Sequence, residues 1–120
     1  MKAYKIDSTA RTITEMDMME ASSLEVAQHI VGGYIETAFE LPNGDTFFCD
    51  EEGLFKGYEH AFYPGGAHQP FLGNGIVMGL NRKTGDSTDV KTDLETIKKM
   101  VTFLTREEII DFVRNLERQD

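Results

Sequence analysis

Residues 34–41 alternate between apolar and polar side chains, and after Pro42 the chain continues with Asn43-Gly44. A period of two indicates a β-strand, and Asn-Gly favours a two-residue type I′ turn because both residues tolerate positive φ. That turn pairs the strand with the next one so that Phe39 lies opposite Phe48 on the core face. The chain must therefore contain an antiparallel sheet, and this requirement constrains the fold more than any other feature.

Three short helices are predicted from one N-terminal signature, in which Ser or Thr is followed three residues later by Glu. In this capping box the hydroxyl oxygen accepts from the N3 amide, and the carboxylate reaches back to the cap amide. Gly32-Gly33 ends the first helix, since glycine takes the left-handed conformation that a C-cap requires. The last helix also has Leu104 and Ile109 at the positions of a hydrophobic staple. The three boxes are Ser22–Glu25, Thr92–Glu95 and Thr105–Glu108.

The remaining elements are predicted to be short strands. Residues 4–6 and 12–14 have strand propensity and are joined by a turn. Residues 76–78 form an apolar run between glycines, which is typical of a strand buried on both faces. The long glycine-rich stretch before it holds one short strand, near 61–63.

These elements predict an α+β fold, with a mostly antiparallel sheet of four to five strands and helices packed on one face. We expect one domain over the 120 residues, since a chain of this length supports one hydrophobic core. Residues 1–104 would form the α+β core, and residues 105–120 a C-terminal helix.

The net negative charge is confined to less than half of the chain. Residues 15–59 hold eleven acids and one base, a net charge of −10, whereas the ten acids and eleven bases elsewhere sum to +1. Such a surface repels a phosphate backbone, so direct binding to nucleic acid is not expected, but it attracts a basic protein surface. We expect Glu36 and Glu40 to share one strand face. The candidate interaction residues are Glu36, Glu40, Asp50, Glu51 and Glu52.

No constellation of residues signals catalysis or metal binding. Cys49 is followed by Asp50 to Glu52, and like charge disfavours the thiolate that a nucleophile needs. A strand position opposite Ala38 is instead typical of a small buried cysteine. The three histidines lack the spacing of a known ligand set. We therefore assign no catalytic residue, no metal ligand and no cofactor.

A second function class stays open because of the aromatic, glycine-rich stretch at 58–71. A small-molecule-binding protein or a minor hydrolase would use this stretch as the wall of a pocket. Its glycines do not indicate a phosphate loop, since Gly73-Asn74-Gly75 precedes a strand, whereas phosphate loops follow a strand and open a helix. The residues of this alternative site are Tyr58, Phe62, Tyr63, His68 and Phe71.

The sequence favours the cytoplasm. No apolar run approaches the roughly 20 residues that span a bilayer, and the N-terminus lacks the apolar region of a signal peptide. A single cysteine cannot form an intrachain disulfide. We expect no membrane association, and the oligomeric state stays open.

Three glycine-centred segments stand out in the sequence: Val31-Gly32-Gly33-Tyr34-Ile35-Glu36, Asp50-Glu51-Glu52-Gly53-Leu54 and Leu72-Gly73-Asn74-Gly75-Ile76-Val77-Met78-Gly79. They resemble a family of small proteins encoded largely by bacteria, phages and plasmids and catalogued as a domain of unknown function (DUF3846). The resemblance extends from the first strand to the second capping box. It implies an intracellular accessory protein of bacterial or mobile-element type, and it supplies no catalytic residues. Together with the charge asymmetry, it favours a non-enzymatic interaction or inhibitor module that docks on a basic partner surface.

Overall fold

The computed structural model describes residues 1–118, which contain nine strands, three α-helices and two short 3₁₀ turns. Residues 119 and 120, the end of the predicted C-terminal helix, lie outside the described residues. None of the three helices combines the length with the apolar character that a membrane crossing requires. The elements are β1 (Lys2–Asp7), β2 (Thr12–Asp17), a 3₁₀ turn (Glu20–Ser22), α1 (Ser23–Val31), β3 (Ile35–Glu40), β4 (Asp45–Asp50), a 3₁₀ turn (Gly53–Phe55), β5 (His60–Pro64), β6 (Phe71–Leu72), β7 (Gly75–Leu80), β8 (Ser87–Thr88), α2 (Leu94–Met100), β9 (Val101–Thr105) and α3 (Arg106–Glu117).

The strands form two antiparallel sheets. The large sheet has the order β2-β1-β7-β4-β3, with β8 also paired to β7, and the small sheet has the order β6-β5-β9. The predicted α+β class, the mostly antiparallel sheet and the C-terminal helix are thereby confirmed. The short strand predicted near 61–63 is β5, and it belongs to the small sheet.

β7 lies in the middle of the large sheet because its side chains are apolar on both faces. Ile76, Val77 and Met78 are all buried, as the sequence predicts. Gly75 lets the small sheet approach closely, since a Cβ there would lie 2.6 Å from the Phe62 ring.

Different elements cover the two faces of the large sheet. On one face, α1 packs Ala27 and Val31 against Ile76 and its neighbours. On the other face, Val77 packs against α2 and against Phe62 of the small sheet. Helices therefore lie on both faces of the large sheet, and the small sheet adds a layer that the sequence alone does not predict.

α3 covers the outer face of the small sheet. There the rings of Phe112 and Tyr63 pack edge-on, with their centroids 4.8 Å apart. Its predicted capping box is confirmed. The Thr105 hydroxyl accepts from the Glu108 amide at 3.3 Å, and the Glu108 carboxylate accepts from the Thr105 amide at 3.0 Å. The staple residue Ile109 packs in the same apolar cluster as Tyr63.

The other two predicted capping boxes are absent. Ser22 precedes α1, but its hydroxyl donates to a backbone carbonyl instead of accepting from the helix. α2 is capped by Asp93, one residue later than predicted. Thr92 instead donates its hydroxyl to the buried Asp45 at 2.6 Å, because a buried carboxylate needs donors. Gly32 does end α1 in the left-handed conformation, at φ +88°.

The predicted type I′ turn is wrong. The loop has three residues, and the Gly44 amide donates to the Leu41 carbonyl at 3.0 Å. Gly44 has positive φ, at +96°, whereas Asn43 does not. Pro42 explains the change, because its fixed φ near −65° suits the first central position of a type I turn.

The predicted pairing between β3 and β4 is therefore wrong as well. Phe39 pairs with Phe47, and a β-bulge at Ala38 shifts the register again, so that Glu36 lies opposite Cys49. The extra residue rotates the following side chains to the other face. Glu36 and Glu40 consequently point to opposite faces of the sheet and do not share one acidic face.

Candidate interaction site

Asp50 ends β4 as a buried carboxylate with a full set of hydrogen-bond donors. It is 5% exposed. Its Oδ2 accepts from Lys56 Nζ at 2.8 Å and from the Tyr58 hydroxyl at 2.9 Å, and its Oδ1 accepts from the Glu52 amide at 3.0 Å. A buried charge needs such compensation, since burial without it is strongly unfavourable. We call Asp50, Lys56 and Tyr58 the Asp50 clamp.

The pKa values of the clamp follow from this arrangement. Burial raises the pKa of Asp50, but the hydrogen bonds from Lys56, the Glu52 amide and Tyr58 outweigh it, so the net pKa is below the ordinary value. The hydrogen bond to Asp50 raises the pKa of Lys56. Burial and then the Asp50 carboxylate raise the pKa of Tyr58. The aspartate is therefore charged and the tyrosine neutral near pH 7, which preserves these contacts.

The clamp joins the three glycine-centred segments of the sequence. Lys56 Nζ also donates to the Gly32 carbonyl at 2.9 Å, at the end of α1. A Cβ at Gly33 would lie 2.8 Å from Asp50 Oδ1, and one at Gly73 would lie 3.0 Å from the Tyr58 ring. Glycine therefore allows two of the segments to approach the clamp closely, and in the third segment a Cβ at Gly53 would lie 2.8 Å from the Leu72 carbonyl oxygen. Sequence reasoning missed this centre, although the three glycine positions were the signal that marked it.

The clamp holds a turn that exposes apolar side chains. Leu54 is 68% exposed and Phe55 is 85% exposed. Tyr34, which is 67% exposed, lies beside this turn, because its carbonyl oxygen accepts from the Glu51 amide at 3.0 Å. We call Tyr34, Leu54 and Phe55 the turn patch.

Three of the five predicted interaction residues lie close to the turn patch in the structure or in the chain. Glu36, Glu51 and Glu52 are exposed, and we call them the acidic rim. Glu36 and Glu51 line one small cleft of about 60 Å³ together with Leu54. Within residues 1–118, none of the three carboxylates forms an ion pair.

The other two predicted interaction residues, Asp50 and Glu40, do not belong to the acidic rim. The prediction that Asp50 is a surface contact is wrong, because its carboxylate is buried inside the clamp. Glu40 is exposed but lies on the opposite sheet face from Glu36, where it pairs with Arg82 at 3.3 Å.

The five residues of the alternative ligand site do not form one pocket wall. Phe62 lies in the core beside Phe71, with ring centroids 5.8 Å apart. Tyr63 faces the other side of the small sheet, and its hydroxyl donates to a backbone carbonyl at 2.7 Å. Tyr58 belongs to the Asp50 clamp, and His68 is exposed. Alternation along β5 places Phe62 and Tyr63 on opposite sides of the small sheet, so the five side chains do not line one pocket.

Cys49 is buried, and its environment disfavours the thiolate. Burial and, less strongly, Glu36 and Asp50 raise its pKa to about 12. In the described part of the chain, no group of three or more His, Cys, Asp or Glu side chains is placed to hold a metal ion. The candidate functional site is therefore the turn patch together with the Asp50 clamp that holds its turn.

Fold and site together define a small antiparallel α+β protein whose glycine-centred segments converge on one buried carboxylate. The chain belongs to the family described as "Domain of unknown function (DUF3846)", whose model matches residues 1–102. The match ends inside β9, so α3 lies beyond it. Comparison with curated proteins and with solved structures finds no match.

Proposed function

We propose that the protein is a non-enzymatic interaction module, an intracellular accessory protein of the bacterial, phage or plasmid type, that docks through the turn patch on a basic surface of a partner protein. One observation carries the proposal. Leu54 and Phe55 are exposed at adjacent positions of a turn that a buried, hydrogen-bonded carboxylate holds in place. The proposed compartment is the cytoplasm, where a lone thiol such as Cys49 stays reduced.

Adjacent exposed apolar side chains contribute little to the folding of the chain that carries them. Their burial against a partner is favourable by roughly 1.5–3 kcal/mol for each large side chain. Aromatic residues such as Phe55 and Tyr34 are also the side chains that dominate binding energy at the centres of interfaces. The composition of the turn patch therefore suits the centre of a binding surface.

The acidic rim indicates the chemistry of the partner. Among residues 1–118 the three rim carboxylates form no ion pair, so they are available to charges on another molecule. Lys or Arg side chains around an apolar depression on the partner would complement this arrangement. Opposite charge at a rim increases the association rate more than the final affinity.

The clamp supports the proposal because it fixes the turn before binding. A turn that is already ordered loses less conformational entropy when a partner covers it. Lys56 and Tyr58 tie the turn to β4 and to the end of α1, so the patch is presented on a rigid base.

The proposal is tested with a photo-crosslinking amino acid in place of Phe55. The labelled protein is added to bacterial lysate at low and at high salt, and crosslinked proteins are identified by mass spectrometry. The captured protein is then purified, and its binding to Leu54→Ser/Phe55→Ser is measured beside Ile110→Ser. Ile110 is a matched control because it is 62% exposed on α3, beyond the family match.

We expect the double variant to bind at least about tenfold more weakly and the Ile110 variant to bind like the native protein, since interface energy concentrates in a few central side chains. Equal binding by all three proteins would refute docking through the turn patch.

A further inference from the structure

A groove of about 450 Å³ opens between β2 of the large sheet and β9 of the small sheet. It lies at the opposite edge of the large sheet from β3. Ile13 is buried in its wall, and Val101 and Phe103 are half-buried there. A volume of this size falls in the range of small-molecule sites, roughly 300–1,000 Å³.

Two cations flank this apolar surface. Arg11 and Lys98 line the groove, and their side chains are each about half exposed. The nearest carboxylate oxygens lie 3.7 Å from the Arg11 guanidinium and 3.5 Å from Lys98 Nζ. Neither contact is a hydrogen bond of normal length, so both cations keep donors for a ligand.

The backbone at Arg11 is a second, independent observation. Arg11 has φ +57°, and it is the one residue other than glycine with positive φ among residues 1–118. Glycine adopts this conformation without steric cost, whereas other L-residues do not. The β1–β2 turn would close at least as well with glycine, so the turn does not account for an arginine at this position.

We propose that the groove binds a small amphipathic carboxylate, with its apolar chain over Val101 and Phe103 and its carboxylate between Arg11 and Lys98. The apolar surface favours a chain through burial, and the two cations favour an anionic head through charge-assisted hydrogen bonds. A singly charged head fits better than a multiply charged one, because the whole chain carries a net charge of −9 and repels anions at longer range. This site is independent of the turn patch and has the opposite charge preference.

Isothermal titration calorimetry at low salt tests the ligand class. The probes are decanoate, decylammonium and decanol, each below the concentration at which it forms micelles. We expect decanoate to bind and the other two to bind at least about tenfold more weakly. An acetylated, amidated Val-Leu-Val-Glu peptide is the fourth probe, and tighter binding of that peptide would assign the groove to a β-strand and overturn the proposal.

Two variants test the cations. Arg11→Gly relieves the positive φ, so its melting temperature should equal or exceed that of the native protein, while its affinity for decanoate should fall about fivefold to tenfold. Lys98→Gln should lose a similar factor. Lys99→Gln is the matched control, since Lys99 is the exposed neighbour of Lys98 on α2 and does not line the groove. Unchanged affinity in both Arg11→Gly and Lys98→Gln would overturn the proposal.

The position of the probe is checked on the native protein, so the result does not depend on the folding of any variant. We expect decanoate to shift the methyl NMR signals of Ile13 and Val101. Shifts confined to Leu54 and its neighbours would place the probe on the turn patch and would likewise overturn the proposal.

Discussion

Strand β4 begins and ends with a buried aspartate, and the two carboxylates are satisfied in different ways. Asp45 accepts from two backbone amides of the 91–92 segment and from the Thr92 hydroxyl. Asp50 accepts mainly from the side chains of Lys56 and Tyr58. Backbone donors are fixed by the fold, whereas the Lys56 side chain is one third exposed and can turn into water. The first carboxylate therefore belongs to the core, and the second holds a surface turn.

This difference changes how the acidic segment is understood. Of the eleven acids in residues 15–59, Asp45 and Asp50 are buried and nine are exposed. The buried pair contributes to folding by fixing two connections to β4. Only the exposed carboxylates can attract a partner, and a count of charges in the sequence does not separate the two groups.

The largest expected effect is at Asp45. Asp45→Ala leaves two part-buried backbone amides and the Thr92 hydroxyl without their acceptor, and it removes a carboxylate from a fully buried position. A buried donor left unsatisfied costs about 1–3 kcal/mol. We expect the free energy of unfolding, measured with urea, to fall by roughly 3–5 kcal/mol. Asp86→Ala is the control, because Asp86 is exposed and its loss should change stability by less than about 0.5 kcal/mol. A loss below about 1 kcal/mol in Asp45→Ala would remove the distinction between core and surface aspartates.

Asp50→Ala should have the second largest effect, about 2 kcal/mol, since Lys56 can find water when its partner is removed. The same change should loosen the turn, so that the Phe55 amide, which donates to the Glu52 carbonyl at 2.9 Å, exchanges faster with solvent. Urea unfolding and hydrogen exchange measure the two effects. If Asp50→Ala destabilises the protein more than Asp45→Ala, the comparison between the two carboxylates is reversed.

The same contrast explains which features the sequence could reveal. Some local signals worked: the apolar run at 76–78, the capping box at Thr105 and the terminating Gly32 depend on neighbours in the chain. The capping boxes predicted at Ser22 and Thr92 failed, because Ser22 makes no cap hydrogen bond and Asp93 caps α2. The turn type failed because Pro42 outweighed the Asn-Gly signal. The sequence predicts that Asp50 contacts a partner together with Glu51 and Glu52, whereas its burial depends on contacts with Gly33 and Tyr58 that folding creates. The second sheet was missed because β6 has only two residues and because β9 lies directly between two helices, with no turn residues on either side to mark it.

The contribution of the Asp50 clamp to stability depends on pH. Burial raises the pKa of Asp50, but its hydrogen bonds lower the pKa by more than burial raises it. The pKa of Asp50 is therefore lower in the folded protein than in the unfolded chain. A lowered folded pKa contributes stability above the unfolded pKa, near 3.9, and that contribution is lost as the pH falls through the folded value. The stability difference between native protein and Asp50→Asn should therefore be constant from about pH 7 to pH 5 and should shrink below about pH 4. A difference that grows in acid would contradict the assigned direction of the shift.

Cys49 lies beside Asp50 in β4. The reactivity of its thiol should increase when the protein unfolds and should change little with pH near neutrality. Burial and two neighbouring carboxylates raise its pKa to about 12, so we expect iodoacetamide to label the native thiol slowly and the urea-unfolded thiol quickly, as followed by mass spectrometry. Cys49→Ala should lose about 1 kcal/mol or less, because it removes a small buried side chain. Equal labelling rates in native and unfolded protein would show that this end of β4 opens readily, which the clamp should prevent.

The smallest expected effect on stability is at the acidic rim. Changing Glu36, Glu51 and Glu52 to Gln removes exposed charges that form no ion pairs within residues 1–118, so the melting temperature should stay nearly constant or rise slightly. The matched control changes Glu15, Glu20 and Glu25 to Gln, which alters the net charge equally outside the rim.

Binding should separate these two triple variants. With the partner found by crosslinking at position 55, the rim variant should associate markedly more slowly at low salt. The control should slow much less, because steering depends on charges near the contact. At about 1 M salt the two rates should converge, since screening shortens the field to roughly 3 Å. Adding Glu40→Gln to the rim variant should change little further, as Glu40 lies on the opposite face and pairs with Arg82. If both triple variants slow equally, total charge attracts the partner and the acidic rim has no special role.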